Sequence, residues 1–591
     1  MRRTVCATLF SLTATLTQAL TTVQVDVVGG DEALTDSLRQ SSALVTAQAE
    51  GRADPSDVLG AALSDYRNMV EALYAQGYYS GVVSIMLDGR EVSNIALLNA
   101  PRQINTAAIR VDPGPQFRFG TVNIGPVPPN ADVAQPQSGT PARSSEIRGA
   151  VVGTVDAWRE AGHPKALPDG QRVVADHPNQ TLDVDVSVAP GPQARLGNLI
   201  LKSENAVREN RIRRIAAFPS GAVFSPDDLT RVATRLRRVG AFSAVNLSEA
   251  ETLNADDTLD VNLTLVDAKP RRFGFGAEIA SFEGLNLSAF WLHRNLLGGA
   301  ERLRLDFEVS NIGSDTGGVD YLARSRYTVP AALGPDTSAF AIAELESLDE
   351  EDFSSDSVTL GIGASKIFSE TFEAELGINI EYTETTDDLG TREFTLLTFP
   401  GRIIWDRRDD ALNATSGFYV AANATPFLGL DGSSSGLRTE VDARAYRALG
   451  AGGVVLAGRL QFGSVAGPSL TDTRSDYLFF SGGGGTVRGQ PFQSLNVDLG
   501  GGVEIGGRSF VGLSGEIRGD VAGNFGAVAF VDAGYIGPEA FFDGSGEWHA
   551  GAGIGLRYNT AIGPIRFDVG APISGDTGDG AQIYIGIGQA F

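Results

Sequence analysis

The chain has 591 residues, with 72 acidic against 47 basic side chains and a formal net charge of −25. This balance excludes non-specific nucleic-acid binding, which requires a basic surface. The length predicts several domains. The 4 histidines have no metal-ligand spacing, and neither a phosphate-binding loop nor a nucleophile elbow is found. We therefore expect no enzymatic activity, no catalytic residue, no metal and no cofactor.

The first residues have the pattern of a secretory signal peptide, predicted over 1–19. Arg2 and Arg3 precede an apolar stretch at 5–16, and 17–19 reads as a small-x-small cleavage site. The single cysteine, Cys6, lies inside this segment, so the exported protein is expected to hold no disulfide. No later stretch has the roughly 20 continuous apolar residues of a membrane helix.

Residues 22–269 repeat one small α+β unit three times. The sequence Pro-Gly-Pro-Gln occurs at 113–116 and again at 190–193, each time between two strands of alternating pattern. Helical stretches end at Gly77, Gly162 and Gly240, and a strand follows each glycine. Domains are predicted at 22–115, 116–192 and 193–269, the second with a proline-rich insert at 126–143. An unrelated tandem α+β fold is the alternative.

From Arg271 the pattern changes to a period of two residues. Apolar side chains alternate with charged ones on 301–309, and similar alternation returns on 372–383 and 437–446. A soluble sandwich would not bury such a charged face, whereas a membrane barrel with a wet lumen accommodates it. We predict a 16-stranded antiparallel transmembrane β-barrel over 271–591, in which 392–407 form one strand. Short and long connections alternate, which places both chain ends in the periplasm and makes 465–507 the sixth outer loop.

This sixth loop combines a glycine run at 482–485 with a single arginine, Arg488. Asp532 is its best candidate partner, because it lies on an inward face beside Gly534, where a loop has room to approach. An arginine binds a carboxylate through two hydrogen bonds, which also sets orientation. The predicted latch consists of Val487, Arg488 and Gly489, and its receiver of Phe530, Asp532 and Gly534. The alternative is an Arg488 that is solvated outside the cell.

The motifs resemble those of the superfamily that contains BamA, TamA and FhaC. Residues 487–489 are similar to its VRG(F/Y) loop motif and 530–534 to its FxDxG strand motif. Three further segments, 406–417, 294–298 and 553–568, are similar to its turn and last-strand signatures. The α+β units resemble its POTRA domains. One difference is Gln490, which stands where the superfamily usually has an aromatic residue.

The resemblance implies an outer-membrane barrel with periplasmic POTRA domains, in which Arg488 pairs with Asp532. Three POTRA units are most similar to the TamA members. That implies insertion or translocation of unfolded outer-membrane or autotransporter clients, with a TamB-like inner-membrane-anchored partner that contacts the POTRA domains. The alternatives are a two-partner-type secretion pore, a component of intermembrane lipid transport, and a passive porin, which would not need POTRA units.

The last strand, predicted over 581–591, is expected to close the barrel against the first, 271–282. The predicted lateral seam consists of Phe273, Phe275, Gly586, Gly588 and Phe591. Phe591 is expected to share the face of Ile583, Ile585 and Ile587, which resembles the C-terminal signal of outer-membrane barrels. Glycines weaken a strand. A weak seam can open, and its exposed strand edges can then pair with a client strand. The alternative is that they only relieve crowding in the lumen.

Overall fold

The computed structural model describes residues 20–96, 101, 103–280, 284–313, 317–450, 453–561, 563–575 and 580–591. The predicted signal peptide lies outside these residues. No helix among them is long and apolar enough to cross a membrane. The chain divides into two compact units. One contains Met1–Asn198, Pro219–Leu229 and Glu249–Val261, and the other contains Leu199–Phe218, Thr230–Ser248 and Asn262–Phe591.

The first α+β segment forms a four-stranded sheet in the order β1-β4-β2-β3, with β1 parallel to β4. Its elements are β1 (Thr22–Val27), α1 (Glu32–Ser41), α2 (Ala43–Ala49), α3 (Pro55–Ala75), β2 (Val82–Leu87), β3 (Arg90–Glu91), a 3-10 turn (Val92–Asn94) and β4 (Thr106–Asp112). Buried Asp65 on α3 accepts hydrogen bonds from the Ser42 hydroxyl (2.6 Å) and the amides of Ala43 (2.6 Å) and Leu44 (3.1 Å). Asp65 thereby provides hydrogen-bond acceptors for the first main-chain amides of α2, which have no partner within the helix.

The next two segments form three-stranded sheets in the orders β5-β7-β6 and β8-β10-β9. Their elements are β5 (Arg118–Gly125), α4 (Ser144–Glu160), β6 (Leu167–Asp176), β7 (Thr181–Ala189), β8 (Arg195–Leu201), α5 (Glu209–Ala216), α6 (Pro226–Arg238), β9 (Phe242–Glu249) and β10 (Thr258–Asp267). In all three sheets the last strand lies between the first and the others, which gives the repeated unit a structural basis. The proline-rich insert occupies the place of a first helix in the second segment.

The C-terminal half is a closed antiparallel barrel, as predicted. Its strands are β11 (Arg271–Ala280), β12 (Gly284–His293), β13 (Arg302–Ile312), β14 (Asp320–Val329), β15 (Thr337–Asp349), β16 (Phe353–Ile367), β17 (Phe372–Asp387), β18 (Gly390–Thr398), β19 (Gly401–Asp406), β20 (Gly417–Leu430), β21 (Gly436–Leu449), β22 (Val454–Ala466), β25 (Ser509–Ala522), β26 (Phe525–Gly537), β27 (Glu547–Thr560), β28 (Gly563–Ser574) and β29 (Gln582–Ile587). A 3-10 turn (Ser475–Tyr477) and the ribbon of β23 (Val497–Asp498) and β24 (Glu504–Ile505) lie between β22 and β25.

The barrel contains 17 strand segments in the described part of the chain, where the sequence analysis predicts sixteen. The difference lies at 392–407, predicted as one strand. Both β18 and β19 pair with β17 on one side and β20 on the other. Pro400 separates them, because proline has no amide hydrogen to donate to the ladder.

The predicted alternation between the two faces of the barrel wall is also present. Ile362, Leu376 and Ile554 point outward and are 65%, 70% and 70% exposed. On the other face, Arg326 of β14 and Glu375 of β17 form an ion pair of 2.7 Å inside the barrel. An apolar outer band with a charged interior is the arrangement of a barrel that sits in a lipid bilayer.

Candidate functional site

The long connection between β22 and β25, residues 467–508, folds into the barrel lumen. Its apolar side chains pack against inward-facing residues of the wall. The cluster contains Leu396, Phe427, Val465, Tyr477, Phe479, Leu495, Phe510 and Ile536. Val487 is fully buried and Arg488 is 2% exposed. Arg488 is therefore inside the barrel rather than solvated outside it.

Arg488 binds Asp532 of β26 through three hydrogen bonds. Its Nε and Nη2 donate to the two carboxylate oxygens at 2.7 and 3.0 Å, and its main-chain amide donates at 3.1 Å. The guanidinium also lies 3.8 Å from the centre of the Phe530 ring. This two-point geometry orients the loop as well as attracting it.

Four further residues extend this pair into a network that the sequence analysis missed. Arg488 Nη1 donates to Glu516 at 2.6 Å and lies 3.6 Å from Asp568. Arg518 binds Glu516 at 2.7 Å, and Arg557 binds Asp568. The network consists of Arg488, Arg518, Arg557, Glu516, Asp532 and Asp568. Three guanidiniums thus face three carboxylates, which is how buried charge is tolerated.

Small residues let the loop lie directly on the wall. A side chain at Gly534 would clash with Ser481 and Val487 of the loop. Gly489 has a φ of +96°, packs on the main chain of Ala571 and donates its amide to the Tyr584 hydroxyl at 3.0 Å. Gly534 and Gly489 thus leave the room in which the loop lies against the barrel wall.

Gln490 fills the position where the superfamily resemblance implies an aromatic residue. It is fully buried, and its Nε2 donates to the carbonyl oxygens of Ala550 (2.8 Å) and Ser574 (3.0 Å). These bonds connect the loop to β27 and β28. Polar contacts with the main chain thus fasten a loop tip that lacks the aromatic side chain.

A second buried anchor holds the same loop on the opposite wall. Arg474 donates to Glu381 of β17 at 2.9 Å, and the Tyr477 hydroxyl donates to the same carboxylate at 2.9 Å. Thr398 donates to its other oxygen at 2.7 Å. The loop therefore spans the lumen between two sets of charged contacts.

The barrel closes by a short junction between its first and last strands. Only two residue pairs join them in the described chain, Ile279 with Ile585 and Ala280 with Tyr584. By comparison, ten pairs join β11 to β12. The predicted seam residues Phe273 and Phe275 lie away from this junction, opposite Trp291 and Ala289 of β12. Among the described residues, their part of β11 has no partner in β29.

Gly586 has a specific place in this junction. Arg566 of β28 reaches past it to Glu278 of β11, at 2.8 Å between Nη2 and Oε1. A side chain at Gly586 would lie 2.9 Å from Arg566 Nε and 3.2 Å from Glu278 Oε1. The glycine therefore leaves the space through which this ion pair crosses the seam.

The end of the chain differs from the prediction. β29 ends at Ile587, and Gly588 turns the chain away with a φ of +94°. Phe591 is buried and packs with Ala414, Tyr446 and Ala457, rather than facing outward beside Ile583. Arg518 donates to its main-chain oxygen at 2.9 Å. Glycine adopts this backbone readily, which ends the strand four residues before the predicted limit.

A turn between β19 and β20 receives this C-terminal segment, since the Gln589 amide donates to the Leu412 carbonyl at 3.1 Å. Asp409 organises the turn and accepts from the amides of Thr415 (2.9 Å) and Ser416 (3.2 Å) and from the Thr415 hydroxyl. Burial acts to raise the pKa of Asp409, but these hydrogen bonds outweigh it and lower the pKa to about 2. Asp409 is therefore ionised under ordinary conditions.

Comparison with known proteins decides the family. The sequence profile described as the Omp85 superfamily domain matches residues 295–591. The chain belongs to the Omp85 superfamily. Its structure is similar to BamA from Haemophilus ducreyi lacking POTRA domains 1–3, at 16% identity and a TM-score of 0.63, with 80% of this chain and 100% of that chain covered. It is also similar to CdiB from Acinetobacter baumannii, at 12% identity and a TM-score of 0.50, with 80% and 90% covered.

These similarities identify the fold as an Omp85 barrel preceded by POTRA-like α+β domains. Omp85 barrels are outer-membrane proteins whose POTRA domains lie in the periplasm. In this Omp85 barrel, none of the described residues form a group of three or more His, Cys, Asp or Glu side chains that could hold a metal ion. Its interior contains the charge-balanced network around Arg488.

Proposed function

We propose that this Omp85 protein inserts and assembles client proteins in the outer membrane, and that clients enter the bilayer through the junction of β11 and β29. The observation that carries this proposal is the difference in pairing along β11. Among the residues that the structure describes, two pairs join β11 to β29, whereas ten pairs join β11 to β12. Separated strand edges can pair with a client strand through main-chain hydrogen bonds.

Opening the junction of β11 and β29 costs less free energy than clearing the lumen, which favours this lateral route over a central pore. Opening the junction breaks the main-chain hydrogen bonds of the two described residue pairs. Each hydrogen bond contributes about 0.5–1.5 kcal/mol to stability. The opening also breaks the Glu278–Arg566 pair, where Glu278 is half exposed and the contribution is below about 1 kcal/mol. Clearing the lumen removes Arg488 from a buried pair, which alone costs about 3–5 kcal/mol. The seam is the weaker of the two barriers.

Two contacts support a connection between the lumen loop and the seam. The Gly489 amide donates to the Tyr584 hydroxyl at 3.0 Å, and Tyr584 is one of the two β29 residues that pair with β11. Arg518 binds both Glu516 of the network and the main chain of Phe591. In our proposal, the loop seated on Asp532 sets the position of β29 and hence the width of the seam.

We further propose that clients reach the barrel along a strand edge of the second α+β segment. β6 is an edge strand with ten residues, and nearly all of them are exposed. The apolar side chains of Leu167, Val173 and Val174 are 52%, 39% and 42% exposed. A long exposed edge with apolar side chains suits the addition of an extended client strand.

The three α+β segments favour a TamA-type role with autotransporters among the clients and a TamB-like periplasmic partner. The second candidate is a two-partner-type secretion pore. The lumen contents argue against an open pore, because 467–508 and the C-terminal segment occupy the barrel interior. A lipid-transport role belongs to a different class and predicts no dependence of client folding on the protein.

Reconstitution tests the proposal. The purified full chain is placed in liposomes, and an unfolded autotransporter barrel is added with or without its passenger. We expect the client barrel to become resistant to protease and to change its gel mobility on heating, both signs of folding in the bilayer. Passenger protected inside the liposomes without an inserted client barrel would identify the secretion pore instead. Equal client folding with and without the protein would contradict both candidates.

A further inference from the structure

A cavity of about 320 Å³ lies where α5 and α6 meet the adjacent ends of several barrel strands. Six arginines line it, namely Arg235, Arg238, Arg302, Arg304, Arg326 and Arg402. Its acidic residues are Asp336, Glu373 and Glu375. A fourth carboxylate, Asp306, binds Arg304 at 2.6 Å, so six guanidiniums against four carboxylates leave a surplus of two positive charges, in a chain whose formal net charge is −25. The network around Arg488 has no such surplus.

Most of these arginines already have partners, and two do not. Arg326 binds Glu375 at 2.7 Å, and Arg235 and Arg238 share Asp336 at 2.8 and 3.1 Å. The side chains of Arg302 and Arg402 form no ion pair and no hydrogen bond with any residue that the structure describes. Their guanidinium donors are available to a ligand in the cavity.

The arrangement of the arginines concentrates like charge. Arg304 of β13 lies directly opposite Arg326 of β14, and like charges in this position repel. Arg302 lies two residues from Arg304 on β13, so both side chains project from the same face of that strand. A partly enclosed group of fixed positive charges attracts anions, and it gains most from one that carries more than one negative charge.

We propose that this cavity binds the phosphate group of a phosphate ester. The planar fork of a guanidinium matches phosphate oxygens with two parallel hydrogen bonds. A phosphate monoester carries close to two negative charges at neutral pH, so it offsets more of the surplus than one carboxylate does. The volume lies at the lower end of the range for small-ligand sites, which admits a headgroup and excludes a folded protein.

The test measures binding directly and does not depend on client insertion. The purified full chain in detergent micelles is dialysed to equilibrium against radiolabelled inorganic phosphate, and dihexanoyl phosphatidic acid is the competitor. The informative variant is Arg302→Gln with Arg402→Gln, which removes only arginines without a described partner. The matched control is Arg148→Gln with Arg447→Gln, two exposed arginines outside the cavity. Heat-dependent gel mobility verifies that each barrel is folded.

We expect one saturable site in the wild type, weakened at least about tenfold in the cavity variant, because each charge-assisted bond contributes about that factor. The control variant keeps the wild-type affinity. The variant Arg302→Lys with Arg402→Lys keeps both positive charges but loses the planar guanidinium groups. Its affinity for phosphate should therefore lie between that of the wild type and that of the cavity variant. Displacement by phosphatidic acid at lower concentration than by phosphate identifies a lipid headgroup as the source, whereas equal displacement identifies the free anion.

Three results would overturn the proposal. They are the absence of saturable binding to the wild type, equal affinity of the cavity variant and its control, and tighter binding of a hexaglutamate peptide than of either phosphate compound. The last result would assign the cavity to carboxylates of a polypeptide.

Discussion

Arg488 and Asp532 bind each other through three hydrogen bonds, although 44 positions separate them in the chain. Removing one partner leaves an uncompensated buried charge, and we expect Arg488→Ala and Asp532→Ala each to lower the free energy of unfolding by about 3–5 kcal/mol. The double variant restores neutrality, so its loss is smaller than the sum by about 1–3 kcal/mol. Denaturant titration of the purified barrel measures all three variants.

The control for this cycle is Arg324 with Glu344, an ion pair in which the Arg324 side chain is 47% exposed. Each alanine variant there should change the free energy of unfolding by about 1 kcal/mol or less. Fully additive losses at Arg488 and Asp532, or losses as small as those of the control, would mean that the loop is not held by this pair.

Much of this pair was predictable, because the FxDxG pattern places Asp532 on an inward face and the loop contains one arginine in its glycine-rich part. The other members of the network were harder to predict from the sequence. Glu516, Arg518 and Asp568 each follow the period of two, but the pattern does not show which inward charges meet across the lumen. That depends on strand register and on the path of the loop.

Two other differences have local causes. Gly588 ends β29, and a glycine in an apolar alternation reads equally as strand or as turn. Pro400 divides the strand predicted at 392–407 by removing one main-chain donor. The helices and sheets of the N-terminal segments carried stronger signals, since a glycine stop followed by a strand recurs in each repeat.

The second anchor of the loop has its own consequence. Glu381 accepts hydrogen bonds from Arg474, Tyr477 and Thr398. Glu381→Gln removes the charge that holds Arg474, so we expect 467–508 to become several-fold more sensitive to limited proteolysis, read by mass spectrometry of the fragments. Glu375→Gln is the matched control, because Glu375 lies on the same strand and binds Arg326 of the wall. Equal cleavage of the two variants would exclude this anchor.

The turn that receives the C-terminal segment should depend on pH. The pKa of Asp409 is lowered to about 2, whereas an unfolded aspartate titrates near about 3.9. Its hydrogen bonds therefore stabilise the fold fully above pH of about 4, and this contribution is lost as pH falls towards 2. We expect the difference in unfolding midpoint between wild type and Asp409→Asn to shrink over that interval.

Thr415→Ala is the companion variant for the same turn, since it removes one hydroxyl donor to Asp409. It should raise the pKa of Asp409 and move the loss of stability to higher pH. A difference between wild type and Asp409→Asn that stays constant from pH 6 to pH 2 would contradict the assignment.

The exposed edge of β6 predicts a strand-specific effect on client binding. Val173 and Val174 are adjacent, so their amides point in opposite directions, one towards β7 and one away from the sheet. Of Val173→Pro and Val174→Pro, one should disrupt pairing with β7 and lower stability. The other should leave stability unchanged and reduce crosslinking to an unfolded client. Normal client crosslinking in the stable variant would exclude β6 as the docking edge.

The central claim is that clients pass through the junction of β11 and β29, and a reversible lock on that junction tests it most directly. Ile279→Cys with Ile585→Cys places two cysteines at paired positions, in a chain whose one natural cysteine lies in the predicted signal peptide. Phe275→Cys with Ala289→Cys locks β11 to β12 instead and serves as the control. We predict that the oxidised seam variant fails to fold clients into liposomes, that reduction restores folding, and that the control works in both states. Full client folding with the seam disulfide intact would contradict the account.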